Sequence, residues 1–202
     1  MPKIAILNYG VGNLRSVSKA LENFKAKVKI TNEIKDVKEA DAIVLPGVGA
    51  FKEARKKIKD LEPAIKNSIN SGKFILGICL GLQLLFTKSF EGGVISGLNL
   101  LKGNVVKLPE TVKLPHIGWN TIKIVKDDEI LNGVKDEAFM YFVHSYIAKP
   151  EDSEILLSTT NYGVVFPSII AKNNIYATQF HPEKSGGNGL KILENFVHLI
   201  KK

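Results

Sequence analysis

Two hydrophobic rhythms alternate over the first eighty residues. Short runs of β-branched and aliphatic residues are separated by longer segments with apolar positions every three or four residues. Such alternation predicts parallel β/α units. Lys3 to Leu7 reads as the first strand. After a glycine turn at Gly10 and Gly12, Asn13 is placed to cap a helix that carries Leu14, Val17, Ala20, Leu21 and Phe24 on one face. Val28 to Thr31 and Ala42 to Leu45 read as the second and third strands, and Pro46-Gly47-Val48-Gly49 interrupts the latter. A Lys-rich helix from Phe51 to Lys59 follows. The next helix has Pro63 near its first turn and closes before Gly72, the usual placement of proline and glycine at helix ends. Phe74 to Ile78 has no polar side chain, which predicts a central strand buried on both faces.

From Gly103 onward the strands come without long helices between them: Asn104 to Leu108, Thr121 to Val125, Phe139 to Val143, Ile155 to Thr159, Ser168 to Ala171 and Ile175 to Phe180. A last amphipathic helix, Gly189 to Ile200, carries Leu190, Leu193, Phe196, Val197 and Ile200 on one side. The expected architecture is α/β: an open, mostly parallel twisted sheet flanked by helices, with an antiparallel or mixed extension. Neither an internal repeat nor a low-complexity linker interrupts residues 1–202, so a single domain is expected.

Composition narrows the chemistry. The 202 residues carry 28 Lys and Arg against 20 Asp and Glu, a formal charge of +8. Only Arg15 and Arg55 are arginines and the lysines are scattered, whereas base recognition favours arginine; the charge reads as a solvated surface, and nucleic acid is not expected as a partner. The most apolar stretch, Phe74 to Phe86, is 13 residues long and broken by Gln83, too short to cross a bilayer. The start Met-Pro-Lys enters the first strand directly, without the apolar core of a signal peptide. With Cys79 as the only cysteine, neither an internal disulfide nor a cysteine-based metal cluster can form. A reducing, cytoplasmic setting is expected.

Gly77-Ile78-Cys79-Leu80-Gly81 follows an apolar strand and precedes the helical run Leu82, Leu84, Leu85 and Phe86. That is the pattern of a nucleophile elbow with cysteine in place of serine. Its tight turn requires small neighbours, and a helix N-terminus there favours the thiolate. A cysteine nucleophile needs a base, and the chain offers His116, His144, His181 and His198. Gln179-Phe180-His181-Pro182-Glu183 ends a strand with an imidazole and a carboxylate two residues on, so Cys79, His181 and Glu183 form a candidate nucleophile, base and orienter. Pro46-Gly47-Val48-Gly49 ends the strand one β/α unit earlier, where the N–H of Val48 with that of Leu80 would stabilise an oxyanion. Gly10 and Gly12 do not complete a dinucleotide fingerprint, because its third glycine falls on Arg15. On these residues alone, a cysteine hydrolase on an open sheet, or a flavodoxin-like binding module with an inert cysteine, remains an alternative.

These segments resemble the class I (triad) glutamine amidotransferases: the cysteine elbow with Gln83 four residues on, and His181-Pro182-Glu183. Asn8 to Leu14, Pro46 to Phe51, Gly103-Asn104-Val105, Pro115 to Asn120 and Tyr141 to Tyr146 are similar, within that family, to the glutaminase subunits of imidazole glycerol phosphate synthase, in histidine biosynthesis. The resemblance runs from end to end. It implies hydrolysis of L-glutamine to glutamate and ammonia through a Cys79 thioester, with the ammonia passed to a separate cyclase subunit, a (β/α)₈ barrel, in a heterodimer. There the ammonia enters imidazole glycerol phosphate and an aminoimidazole carboxamide ribotide is released. It also places Gly49, Gln83, Ser145 and Tyr146 around the glutamine, turns Asn13, Trp119, Tyr141 and Lys184 toward the cyclase, and calls for no metal or organic cofactor.

Overall fold

The structure is a computed structural model that describes residues 1–10 and 13–201. Val11 and Gly12, the second half of the expected glycine turn, lie outside the described residues, as does Lys202. The chain runs β1 (Lys3–Leu7), α1 (Leu14–Asn23), β2 (Lys27–Thr31), α2 (Ile34–Glu39), β3 (Ala42–Leu45), α3 (Phe51–Lys57), α4 (Glu62–Asn70), β4 (Phe74–Ile78) and α5 (Leu80–Leu84). It continues through β5 (Lys88–Ser89), β6 (Ile95–Ser96), β7 (Gly103–Lys107), β8 (His116–Thr121), β9 (Lys123–Ile124), β10 (Phe139–His144), β11 (Tyr146–Pro150), β12 (Leu156–Asn161), β13 (Val165–Lys172), β14 (Ile175–Thr178) and α6 (Gly186–Ile200).

The main sheet has the order β2-β1-β3-β4-β14-β13-β12-β9. Its first five strands are parallel neighbours, and β13, β12 and β9 extend it antiparallel. A β8–β10 ribbon and a second small sheet, β11-β7-β5-β6, complete the fold. Alternate side chains of one strand divide between two cores, as the pleat dictates. Ala42, Val44, Leu76 and Ile78 face a cluster closed by Val17 and Leu21 of α1 and Ile192 and Phe196 of α6. Ile43, Leu45 and Ile75 face a second cluster closed by Phe51, Ala54 and Ile65 of α3 and α4. Each Leu, Ile or Phe so buried contributes ~1.5–3 kcal/mol of transfer free energy.

Several boundaries differ from expectation, for local reasons. Asn13 stands at the start of α1 but its side chain makes no capping bond. The six-residue α2 buries only Val37, too little periodicity to predict it. The helix after Cys79 ends at Leu84 because the N–H groups of Leu98, Asn99 and Leu100 take the carbonyls of Leu84, Phe86 and Leu85. A strand expected over Thr121 to Val125 is divided between β8 and β9. β8 escaped the pattern because it points Ile117 and Trp119 outward, 59% and 56% exposed, and buries His116. β14 stops at Thr178, whose hydroxyl donates to the Phe180 carbonyl at 2.9 Å.

Candidate active site

β3, β4 and β14 are adjacent parallel strands, so their carboxyl ends open on one edge. Cys79 leaves β4 with φ 53° and ψ −104°, a conformation that side-chain-bearing residues rarely adopt and that marks a sharp, strained turn. Its N–H donates to the Thr178 carbonyl at 2.7 Å. The flanking glycines have a steric cause: a Cβ on Gly81 would stand 1.8 Å from the Leu45 carbonyl oxygen, and one on Gly77 2.8 Å from the Gly81 backbone.

β14 pairs in register with β4, Thr178 beside Ile78, so the segment after it delivers His181 to the cysteine. His181 Nδ1 lies 2.9 Å from Glu183 Oε1, with 2% and 1% of the two side chains exposed. Burial pushes the imidazolium down, but the Cys79 sulfur and the Glu183 carboxylate outweigh it and raise His181 to about 10. His181 Nε2 makes no hydrogen bond of ordinary geometry, although the sulfur beside it dominates the upward pull. Nδ1 therefore serves Glu183 and Nε2 remains for proton transfer. The sulfur itself donates weakly to the Val143 carbonyl at 3.6 Å and accepts from Gln179 Nε2 at 3.7 Å.

The expected oxyanion pair is not assembled in this conformation. The Leu80 N–H donates to the Gly47 carbonyl at 3.3 Å, so an acceptor occupies the place where an oxyanion would bind. The reason is elementary: the first N–H groups of a helix have no partner within it, and the glycine strand supplies one. Gly47 itself cannot carry a side chain, since its Cβ would stand 2.8 Å from Leu80 Cβ. Gly49 sits at φ 130°, and Val48 between them is 39% exposed.

A cavity of about 230 Å³ opens over the sulfur, lined by Val48, Gly49, Cys79, Leu80 and Gln83 on one side and by Glu91, Val143, His144, Ser145 and Tyr146 on the other. That is below the ~300–1,000 Å³ of drug-sized ligand clefts and suits an amino acid. A larger surface hollow of about 690 Å³ along α3 is lined by neither cysteine nor histidine. Gly49, Gln83, Ser145 and Tyr146 thus share one cavity. The Gln83 amide is held in place by donating to the Tyr146 carbonyl at 2.9 Å. Glu91 is the lining residue that sequence reasoning missed. It lies in a loop of no regular pattern, and burial raises its carboxyl while the Phe51 N–H pulls it down.

His116 and His144 are not available as bases. His144 Nδ1 faces the Tyr146 carbonyl at 3.0 Å, so it carries the proton and Nε2 accepts from His116 Nδ1 at 3.1 Å. Asn120 Nδ2 lies 3.3 Å from His116 Nε2 and also donates to the Asn161 carbonyl at 3.1 Å. Burial pushes His116 down to about 4; burial and then the neighbouring His116 push His144 down to about 3. His198 lies exposed on α6. On the outer face, Trp119 and Tyr141 pair across the ribbon with ring centroids 5.9 Å apart, and Lys184 Nζ stands 5.8 Å from the Tyr141 ring centre. Asn13 is exposed at the start of α1, which packs on the turn holding Lys184. Among the described residues no group of three or more His, Cys, Asp or Glu is placed to hold a metal ion, and no helix is long and apolar enough to cross a membrane.

Comparison with known proteins gives the family. The family model "Glutamine amidotransferase class-I" matches residues 5–200. "Imidazole glycerol phosphate synthase subunit HisH" of Caldanaerobacter subterraneus subsp. tengcongensis is 51% identical over 200 residues, covering 98% of each chain. The HisH subunit of Archaeoglobus fulgidus is 52% identical over 201 residues, covering 98% of this chain and 100% of the relative. A solved structure described as a glutamine amidotransferase superposes with a TM-score of 0.77 at 16% identity, over 98% of this chain and 99% of that one, and so shares the fold. The chain belongs to the class-I glutamine amidotransferases, and within them to the HisH subunits of imidazole glycerol phosphate synthase.

Proposed function

We propose that this chain is the glutaminase subunit of an imidazole glycerol phosphate synthase, one domain acting in the cytoplasm. It hydrolyses L-glutamine and passes ammonia to a cyclase subunit, a (β/α)₈ barrel, docked on Trp119, Tyr141, Lys184 and Asn13. The observation that carries the chemistry is the strained Cys79 elbow beside the buried His181–Glu183 pair, at the floor of an amino-acid-sized cavity. The Cys79 thiolate attacks the side-chain amide carbon of glutamine and a tetrahedral oxyanion forms. His181, held as imidazolium by Glu183, gives its proton to the departing ammonia. The neutral imidazole then takes a proton from water, whose oxygen attacks the thioester carbon; the carbon–sulfur bond breaks, glutamate leaves and the thiolate–imidazolium pair is restored. Gly49, Gln83, Ser145 and Tyr146 hold the glutamine, and Glu91 faces its α-ammonium.

The oxyanion is stabilised only when the Gly47–Val48 peptide rotates, withdrawing the Gly47 carbonyl from Leu80 and turning the Val48 N–H inward. Glycine on both sides of Val48 makes that rotation inexpensive. One oxyanion donor is worth ~10²- to 10³-fold in rate, so one peptide suffices as a gate that spares glutamine until the cyclase is occupied. The test is glutaminase activity of the isolated chain, of the chain with the cyclase subunit, and of the complex with imidazole glycerol phosphate. The expected result is a nearly inactive isolated chain and a complex stimulated mainly in turnover. Full activity in isolation would refute the gate while leaving the triad in place.

A further inference from the structure

Tyr9 follows β1 and is buried, 3% exposed, yet its hydroxyl has no hydrogen-bond partner among the described residues. Orphaned buried hydroxyls are costly, and phenylalanine would fill the same space without one. Two observations locate the atom. It stands 3.2 Å from the point where a Cβ on Gly47 would be, and it is close enough to the nucleophile for the Cys79 charge, after burial, to help hold the phenol protonated. The hydroxyl is thus a permanent donor beside the oxyanion strand, on the Cα whose carbonyl accepts from Leu80.

Rotation of the Gly47–Val48 peptide leaves one group to be satisfied. As Val48 N–H turns toward the substrate and Leu80 N–H is released to the oxyanion, the carbonyl of the buried Gly47 loses its partner, with the Tyr9 hydroxyl and Leu80 both beside that residue. A buried carbonyl so displaced needs a donor. We infer that Tyr9 is a positioning residue of the glutaminase reaction: its hydroxyl receives the Gly47 carbonyl in the rotated conformation and stabilises the assembled oxyanion hole. The inference rests on the rotation proposed above. The two conformations then exchange one hydrogen bond for another, Leu80 N–H to Gly47 carbonyl in one and Tyr9 hydroxyl to Gly47 carbonyl in the other, which keeps the strand bistable rather than locked.

The test is Tyr9→Phe in the full-length chain, with thermal unfolding of the isolated subunit and steady-state glutaminase kinetics of the complex with and without imidazole glycerol phosphate. Removing a group unpaired in the unrotated state should leave the melting temperature unchanged or raise it, and should leave the basal rate and the glutamine KM within twofold. The stimulated kcat should fall about tenfold, the worth of one neutral hydrogen bond. A stimulated kcat reduced less than fivefold would overturn the assignment. So would a rise in KM at constant kcat, which would make Tyr9 a glutamine contact, or equal losses of basal and stimulated rates with a lowered melting temperature, which would make its role structural. Failure of the underlying reading looks different: the wild-type complex itself would show no response to imidazole glycerol phosphate.

Discussion

Gly81→Ala is the sharpest test of how the nucleophile is held. The added methyl would lie 1.8 Å from the Leu45 carbonyl oxygen and 3.0 Å from Leu45 Cβ. An ordinary carbon–oxygen contact is about 3.2–3.5 Å, so α5 must retreat from β3 by more than 1 Å, or the elbow must unwind. Neither movement is local, because the Cys79 N–H is tied to Thr178 and the Leu80 N–H to Gly47. Overpacking by one methyl typically costs ~1–3 kcal/mol where neighbours can yield; against the Leu45 backbone the cost should reach ~4 kcal/mol or more. For a chain of this length each kcal/mol moves the melting temperature by ~2–4 °C, so a loss of roughly 10 °C is expected, together with glutaminase activity. Two companions calibrate the scale. Gly77→Ala meets backbone at 2.8 Å and should lie between Gly81→Ala and wild type; Gly187→Ala, in α6 with nothing within 4 Å, should be neutral or slightly stabilising. Differential scanning calorimetry of the three would decide it. A Gly81→Ala protein melting within 2 °C of wild type would refute the steric account of the elbow.

Other expectations concern the chemistry and the docking face. Cys79→Ala should abolish glutamine hydrolysis with the fold intact, and residual activity above ~10⁻³ of wild type would remove Cys79 from its role. His181→Ala should be nearly as damaging and Glu183→Ala milder, measured as kcat in the stimulated complex; the reverse order would exchange the roles of base and orienter. Trp119→Ala removes a ring 56% exposed and should weaken cyclase binding by ~2 kcal/mol, read by calorimetric titration, without destabilising the isolated chain. His181, raised to about 10 from 6.5, binds its proton more tightly folded than unfolded. Stability from that charge is complete below pH 6.5 and is lost as pH rises toward 10. Glu183→Gln should flatten the decline in melting temperature over that window, and superimposable wild-type and variant profiles would contradict the pairing.

Much of this architecture is legible in residue order because β3, β4 and the elbow are dictated by local chemistry. Ala42–Leu45 and Phe74–Ile78 are apolar on both faces, and the paired glycines mark the turn without any tertiary knowledge. What the pattern hides is whatever is decided at long range. β8 turns apolar side chains outward and buries histidine, the opposite of the usual strand signal. α5 is cut short by carbonyls that the segment around Leu98 claims. Glu91 reaches the cavity only because β5 and β6 fold the loop between them over α5, and nothing in the identity of one glutamate announces that. The orphaned hydroxyl of Tyr9 is invisible for the same reason: a tyrosine after a strand is ordinary until its surroundings are known.

The proposed docking face and the catalytic centre are joined by very little material, and this bears on how a partner could act at a distance. β10 carries Tyr141 on the outer face, but the carbonyl of that same residue accepts the His181 N–H at 2.9 Å, and its N–H donates to Ser185 Oγ at 2.9 Å. Two residues on, the Val143 carbonyl lies 3.6 Å from the Cys79 sulfur. Across the ribbon, β8 pairs Trp119 with Tyr141, and His116, three residues before that tryptophan, is bonded to His144 and through it to the Tyr146 carbonyl that Gln83 also holds. A shift of β10 by a fraction of an ångström is therefore imposed directly on the backbone of the base and on the surroundings of the nucleophile. The oxyanion strand is not part of that ribbon; it hangs on β3 and on the Leu80 N–H. A partner that only tightened the ribbon would align His181 with Cys79 and still leave the Gly47 carbonyl in the oxyanion position. If the proposed rotation of the Gly47–Val48 peptide is the gate, full stimulation would need a second contact, on the exposed Val48 side of the cavity, and binding of the cyclase and occupancy of the cyclase should then have separable effects on turnover.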